Sequence, residues 1–266
     1  MADREQAARA LLAFWEQAGV DVGEARAILR APLPVAPAPP RERPAEVVPV
    51  ARAPKVAVGP AAPVVLAQQM AAKAQSIPDL AAAIAAFDGC ALKKGAKKTV
   101  VYDGVVGAPV LVIGEAPGAD EDSAGMPFVG RAGQLLDRML AAVNLSRQSN
   151  VLISNAIFWR PPGNRTPTTE ELAICRPFVE RMIGLARPKV LVLAGGAAAS
   201  SVLDRSEGVT RLRGQRLTHM VAGLTTPVNV MVMLHPAYLL RQPVQKRLAW
   251  ADLLMLDAWL AELGGG

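Results

Sequence analysis

The sequence VLVIGEAPGADEDSAGMPFVGRAG occupies residues 110–133 and carries the clearest structural signal in this chain. Its apolar start, bounded by turn-forming residues, predicts a buried strand over residues 110–113. Gly114, Pro117 and Gly118 then turn the backbone and leave it bare of side chains, so that a ligand can come close. A helix is predicted to begin near Arg131. Strand, glycine-rich turn and helix in this order are typical of a binding loop at the carboxyl end of a parallel strand.

This loop does not match the common phosphate-binding motifs. No Gly-Lys-Ser/Thr follows it, and it lacks the GxGxxG pattern of dinucleotide-binding folds. Asp120, Glu121 and Asp122 would repel a phosphate group rather than bind it. By itself the loop is equally well explained as a tight turn, so its function has to be argued from the rest of the chain.

Apolar runs and helical segments alternate after this loop. Further buried strands are predicted within residues 150–159, 188–196 and 228–234. Helices are predicted over residues 76–90, 135–145, 166–187, 197–203 and 243–263. This alternation predicts an α/β fold of three layers, in which helices flank both faces of a central four-stranded parallel sheet.

The first part of the chain differs in composition from the rest. Residues 1–30 are predicted to form a helical segment, which we interpret as a docking or dimerising hairpin or, alternatively, as an accessory that contacts DNA. Ten of the 22 prolines lie in residues 31–64, which predicts an extended or disordered linker over residues 31–65. The α/β domain is then expected to span residues 66–266.

Composition limits the partners and the compartment. The chain has 266 residues, a formal net charge of +6 and a pI near 9.7, which favours an anionic partner such as nucleic acid. Cys90 and Cys175 are the two cysteines, so no disulfide framework is implied and a reducing compartment fits. No secretory signal and no apolar run of about 18 residues is present. We expect a monomeric protein of the bacterial cytoplasm that does not bind membranes.

Polar side chains follow three of the predicted strands. Glu115, Asn155 and His235 each come just after an apolar run, at the edge where ligands bind in open α/β sheets. Phe128 lies in the loop after the first strand and offers a stacking surface. An amide, an imidazole and an aromatic ring suit a flat heterocycle with a carbonyl and an N–H, such as uracil. Taken singly, each residue has an ordinary explanation as a turn cap, a loop histidine or a core aromatic.

Four motifs, in this order, resemble those of the family-4 uracil-DNA glycosylases. They are GEAPG at residues 114–118, PFVG at 127–130, SNAIFWRPPGNR at 154–165 and HPAYLLR at 235–241. The resemblance covers about residues 78–260 and implies a DNA repair enzyme that flips uracil out of DNA and hydrolyses its N-glycosidic bond. The products would be free uracil and an abasic site.

The resemblance also implies roles for the residues that read the base. Phe128 would stack on the extruded uracil, while Asn155 would donate its amide N–H to O4 and accept from N3–H. His235 would hold O2 and stabilise the negative charge that grows on the departing base. Glu121 would stand beside C5 and help to exclude the methyl group of thymine.

The same resemblance assigns the sugar side of the pocket and the contacts with DNA. The loop that faces the sugar and the attacking water would contain Gly114, Glu115, Ala116 and Gly118. The classical glycosylase loop has an aspartate where this chain has Ala116, so Glu115 is the nearest candidate for the general base. Residues expected to contact the DNA stack follow the histidine and are Leu239, Leu240 and Arg241.

Basic clusters elsewhere are candidates for phosphate contacts, although such clusters are usually solvated loops. The lysine-rich segment supplies Lys94 and Lys97, and the loop TRLRGQRL supplies Arg211 and Arg213. This second loop lacks the histidine of relatives that trap DNA covalently, which argues against trapping. Alternative functions are a module that binds uracil or abasic DNA with little turnover, and a hydrolase that acts on nucleosides or nucleotides.

One departure from the family pattern concerns a cofactor. The resemblance implies a four-iron, four-sulfur cluster held by four cysteines, of which this chain keeps Cys90 and Cys175. Lys93 and Trp159 occupy the other two positions. Lysine is cationic and the indole N–H is only a donor, so neither replaces a thiolate. We therefore expect no iron–sulfur cluster and no metal site.

Overall fold

Six strands form one mixed sheet in the computed structural model, which describes residues 62–203 and 207–264. The strands are β1 (Tyr102–Gly104), β2 (Val110–Gly114), β3 (Val151–Asn155), β4 (Val190–Ala194), β5 (Leu217–His219) and β6 (Val228–Met233). Their order across the sheet is β1-β3-β2-β4-β6-β5. β2, β3, β4 and β6 run parallel, whereas β1 and β5 pair antiparallel with β3 and β6 at the two edges.

The parallel centre is the predicted four-stranded sheet, and the α/β fold class is confirmed. Its strands are buried on both faces, which explains why they appear in the sequence as unbroken apolar runs. In β2, for example, Leu111 and Ile113 belong to one core cluster, while Val110 and Val112 belong to the cluster on the opposite face. The two edge strands were not predicted because each has only three residues and is half-buried or exposed.

Helices cover both faces of the sheet. Within the described residues they are α1 (Ala62–Lys73), α2 (Ile77–Ala86), α3 (Ala119–Ala124), α4 (Arg131–Ala141), α5 (Thr169–Ala186), α6 (Gly196–Leu203), α7 (Val209–Leu212), α8 (Pro236–Arg241) and α9 (Lys246–Glu262). Buried residues of α1, α2, α5 and α6 form one core cluster with the sheet, and those of α4, α8 and α9 form the other. Four of these helices, α1, α3, α7 and α8, were not predicted.

Local capping chemistry starts two of the predicted helices. The hydroxyl of Ser76 accepts from the backbone N–H of Asp79 at 3.2 Å, which begins α2. Thr168 and Glu171 form a reciprocal capping box at the start of α5. Both helix starts agree with the sequence pattern.

The structure also bears on the predicted organisation of the chain. Helix α1 begins at Ala62, inside the predicted linker, and packs against α5, so the folded domain extends at least as far as Ala62. The predictions for residues 1–30 and for the linker before this point lie outside the described residues. Among the described helices, none combines the length and apolarity required to span a bilayer.

Candidate active site

The site lies at the carboxyl ends of the parallel strands. Strand order reverses beside β2, because the chain goes from β2 to β3 on one side and then to β4 on the other. Helices α4 and α6 accordingly pack on opposite faces of the sheet and leave a crevice between them. Gly114 at the end of β2 pairs in register with Asn155 at the end of β3. This is the edge at which the sequence placed the polar groups.

A cleft of about 440 Å³ opens at this edge. Its walls contain all but one of the predicted substrate residues, namely Glu115, Ala116, Gly118, Glu121, Phe128, Asn155 and His235. Arg241 also lines the cleft. The structure therefore brings together side chains that are up to about 120 positions apart in the sequence.

Gly114, the remaining predicted substrate residue, lies directly beneath the cleft. A Cβ atom built on it would be 2.5 Å from Asn155 Oδ1 and 2.5 Å from the Phe128 ring. Asn155 itself is 2% exposed. The absence of a side chain at Gly114 thus allows an amide and an aromatic ring to approach one another over bare backbone.

Phe128 adopts a backbone conformation that is unusual for a bulky residue. Its φ of 54° lies in the left-handed region, which costs energy for residues other than glycine. Its ring is stacked on that of His235, with centroids 5.6 Å apart and an angle of 29° between the planes. Both residues line the cleft.

His235 caps helix α8 with its own side chain. Its Nδ1 accepts from the backbone N–H of Ala237 at 3.1 Å. Burial, with a smaller contribution from Arg241, lowers the pKa of His235 to about 4. The imidazole is therefore neutral near pH 7, and since Nδ1 is an acceptor, the proton is on Nε2.

Two glutamates, Glu121 and Glu115, line the cleft. Glu121 accepts from the backbone N–H groups of Gly118, Val129 and Gly130 at 2.8–3.0 Å, so it fastens the loop before α3 to the loop before α4. The contact of Glu121 with C5 of a base stays a prediction. Burial raises the pKa of Glu115 above its ordinary value.

The segment that follows His235 differs from the prediction at one residue. Leu239 is fully buried in the core under α8 and cannot contact DNA, contrary to prediction. Leu240 is half-buried, and Arg241 is exposed at the mouth of the cleft. The large apolar residue exposed there is Tyr238, at 36%, which the sequence analysis did not select.

Arg213, one of the predicted phosphate contacts, is bound to other residues within the fold. Its guanidinium binds Asp252 at 2.7 and 3.0 Å and donates to the carbonyl of Leu248. Arg213 is therefore a structural residue, contrary to prediction. Arg211, Lys94 and Lys97 are exposed.

The four positions implied for an iron–sulfur cluster are occupied by side chains that bind or contact other residues of the fold. Lys93 Nζ binds Asp88 at 2.7 Å and the carbonyl of Ala85 at 2.6 Å. Trp159 is completely buried, and its Nε1 donates to Thr99 Oγ1 at 3.0 Å. The side chains of Cys90 and Cys175 contact each other, and this contact together with burial raises the pKa of the Cys175 thiol. A protonated thiol, an ammonium group and an indole do not form a four-thiolate set.

Other pocket residues were missed by the sequence analysis. Asn164, Arg165 and Thr166 also line the cleft, and the first two belong to the motif quoted for the family resemblance. Arg147, which donates to the backbone carbonyl of Phe128, was missed as well. Only the conspicuous glycine and proline run at residues 161–163 could have signalled a loop near the site.

Comparison with known proteins agrees with this geometry. The family model described as the uracil DNA glycosylase superfamily matches residues 102–254. A type-4 uracil-DNA glycosylase of Pyrobaculum aerophilum is 36% identical over 183 residues, which cover 67% of this chain and 89% of that protein. The type-4 enzymes of Thermotoga maritima and Archaeoglobus fulgidus are 37% and 36% identical, covering 57% and 64% of this chain and 77% and 85% of theirs.

Proposed function

The chain belongs to the uracil-DNA glycosylase superfamily, and we propose that its cleft holds a uracil base extruded from DNA, read by Phe128, Asn155 and His235. The protein is a DNA repair enzyme that removes uracil from DNA by hydrolysing the N-glycosidic bond. A base inside a duplex is out of reach of such a site, so it has to be flipped out first, at a cost of a few kcal/mol.

The proposed reading of uracil uses the buried amide and the aromatic ring. Asn155 offers one donor for O4 and one acceptor for N3–H, which distinguishes uracil from cytosine because the pattern at this edge is reversed in cytosine. Phe128 stacks on one face of the base. Support for this comes from the close approach of both side chains over Gly114.

His235 is proposed to stabilise the leaving base. As the bond between C1′ and N1 breaks, its electron pair moves onto the base and negative charge collects at O2. The Nε2–H of a neutral histidine donates a hydrogen bond to this oxygen without giving up its proton. Its support is the hydrogen bond from Ala237, which occupies Nδ1 and directs the remaining N–H away from α8.

Glu115 is proposed to orient the attacking water. The water oxygen bonds to C1′ on the face opposite to the departing base, and the proton that the water loses passes to the Glu115 carboxylate. The uracil anion that leaves with the electron pair of the broken bond is then protonated from solvent. The Glu115 carboxylate lines the cleft beside Ala116 and its raised pKa makes it a better proton acceptor than an exposed glutamate. Free uracil and an abasic site result.

DNA is proposed to bind across the mouth of the cleft. Tyr238 and Arg241 are exposed there and would contact the stack and the backbone beside the flipped nucleotide. Leu240 is a secondary contact. Lys94, Lys97 and Arg211 are the proposed phosphate contacts further out, supported by their exposure and by the net charge of +6.

We also propose that the enzyme works without an iron–sulfur cluster, as a monomer of the bacterial cytoplasm. The chemistry of the four positions supports this: Lys93 is paired with Asp88, and Trp159 packs against Phe87 with ring centroids 6.4 Å apart. The two free cysteines among the described residues suit a reducing compartment.

The observation that carries the function is the convergence of Phe128, Asn155 and His235 in one cleft at the end of the parallel strands. The test is incubation of purified protein with DNA containing a single uracil, followed by alkali cleavage and a denaturing gel. Strand cleavage at the uracil and free uracil in the supernatant are expected. Tight binding without cleavage would favour the alternative of a binding module, and a band of reduced mobility would reveal a covalent adduct.

A further inference from the structure

A buried arginine binds the backbone at Phe128. Arg147 is 8% exposed, and its guanidinium donates to the carbonyl oxygens of Phe128 at 2.7 Å and Pro127 at 3.1 Å. The same guanidinium binds the carboxylates of Asp103 at 2.7 Å and Asp137 at 2.9 Å. The cation thus connects an edge strand and helix α4 with the peptide groups on either side of the Phe128 backbone.

The backbone that Arg147 holds is the strained one. Phe128 has φ 54°, so its carbonyl is turned away from the direction that an extended loop would give it. That carbonyl also lies so close to Gly133 that a Cβ atom there would be 1.8 Å from the oxygen. On the other side, Glu121 accepts from the N–H groups of Val129 and Gly130. The backbone at Phe128 is therefore held by two charged groups. The Arg147 guanidinium binds the carbonyl oxygens of residues 127 and 128, and the Glu121 carboxylate binds the N–H groups of residues 129 and 130.

The geometry calls for a guanidinium at this place. Its planar fork reaches two carbonyl oxygens and two carboxylates at the same time, whereas an ammonium group is a point charge with a shorter reach. The two aspartates neutralise the buried charge, so they also fix the orientation of the fork. None of these contacts involves the cleft surface directly.

We propose that Arg147 is a positioning residue for uracil excision, which acts by holding Phe128 in its left-handed conformation so that the ring lies flat against the base and against His235. This rests on the proposed role of Phe128 as the stacking residue. Displacement of a reacting group by about 1 Å can cost about a hundredfold in rate. An Arg147→Lys variant keeps the charge between the aspartates but cannot span both carbonyls, so we expect it to excise uracil about ten- to a hundredfold more slowly.

The experiment is a double-mutant cycle with Arg147→Lys, Phe128→Ala and the combined variant, measured as single-turnover excision from uracil-containing DNA. If Arg147 acts through the ring, its substitution causes no further loss once Phe128 is alanine. The affinity for DNA with an abasic site, which has no base to stack, should be the same for Arg147→Lys and wild type. An Arg181→Gln variant is the matched control, since Arg181 also binds a backbone carbonyl, that of Ala74, but far from the cleft.

The outcomes separate this inference from the proposed function. Independent, multiplying losses from Arg147→Lys and Phe128→Ala, or an equal loss of affinity for abasic DNA, would show that Arg147 serves stability alone and would overturn the inference. Full excision by Phe128→Ala would overturn the stacking role itself and this inference with it. If Arg147→Lys does not fold, Asp103→Asn replaces it in the double-mutant cycle with Phe128→Ala. This variant weakens one ion pair of the guanidinium but leaves Arg147 in place, and the same criteria apply to it.

Discussion

The backbone N–H of Ala237 donates to Nδ1 of His235 over 3.1 Å, and this one hydrogen bond sets the tautomer of the imidazole. Because the acceptor position is taken by the first turn of α8, the Nε2–H is the group that remains for a ligand. Burial keeps the ring neutral at physiological pH. A neutral donor suits an oxygen that becomes negative during bond cleavage, since it stabilises charge without protonating the base.

We predict that His235→Ala slows the chemical step by on the order of 100- to 1,000-fold and leaves DNA affinity almost unchanged. Single-turnover excision and equilibrium binding measured on the same DNA check this. In wild type, the His235 titration should appear near its pKa of about 4 and not near the ordinary 6.5. An equal loss of rate and affinity would make His235 a docking residue instead.

The free energy of unfolding should also depend on pH in a way that reflects the lowered pKa of His235. The folded protein has a lower His235 pKa than the unfolded chain, so the unfolded chain binds more protons between about pH 4 and the ordinary value of 6.5. The contribution of this group to the free energy of unfolding is therefore complete above that window and declines as pH falls through it. Urea unfolding of wild type and His235→Gln at several pH values isolates it, because the variant lacks this slope.

Asn155→Ala should fold normally and lose most uracil excision. Without the amide, the O4 and N3–H groups of uracil are left unpaired in a buried site, at about 1–3 kcal/mol for each group. For the two groups together, that corresponds to at least about a thirtyfold loss in rate. Asn229→Ala, at the amino end of the parallel strands, is the control and should retain full activity. Wild-type excision by Asn155→Ala would contradict the pocket assignment.

Binding to DNA should weaken with salt, and two neighbouring arginines should differ in their effects. Arg211 is exposed, so Arg211→Gln should reduce the slope of log affinity against log salt by about 0.9 and leave the melting temperature unchanged. Arg213→Gln should leave the slope unchanged but lower the free energy of unfolding by about 3–5 kcal/mol, because it deprives buried Asp252 of its partner. A salt-independent affinity of wild type would rule out phosphate contacts.

Tyr238 and Leu239 are adjacent in α8 but should behave oppositely. Leu239→Ala removes a fully buried side chain and should cost about 2–5 kcal/mol of stability. Tyr238→Ala should cost less stability than Leu239→Ala, because Tyr238 is 36% exposed, and should weaken excision from duplex DNA. Thermal unfolding and excision rates on both variants test the pair. If Tyr238→Ala excised uracil from duplex DNA as fast as wild type, the exposed ring would have no part in base flipping.

The purified protein should contain no stoichiometric iron or sulfide, even when prepared anaerobically. Trp159 and Lys93 already complete the packing and charge pairing at the positions implied for cluster ligands. Cys90→Ser and Cys175→Ser should therefore retain excision activity. Iron analysis, sulfide analysis and visible absorbance check the prediction, and iron that disappears together with activity in Cys90→Ser would contradict it.

The sequence by itself determined the α/β class and the edge of the sheet at which the site lies. Strands buried on both faces leave unbroken apolar runs, and the residues that end them are found at a common edge because parallel strands share one direction. Glu115, Asn155 and His235 could therefore be selected from local patterns alone. Phe128 followed from its position between two backbone breakers in the first of these loops.

Tertiary structure alone decided which side chains near the site are exposed and which face the core. Leu239 and Tyr238, or Arg213 and Arg211, differ only in the direction in which a packed helix or loop presents them. Arg147 left no local pattern, because its partners Asp137, Phe128 and Asp103 are 10, 19 and 44 positions away. The energy of a buried cation depends on groups that only the folded chain brings together, so its role becomes visible only there.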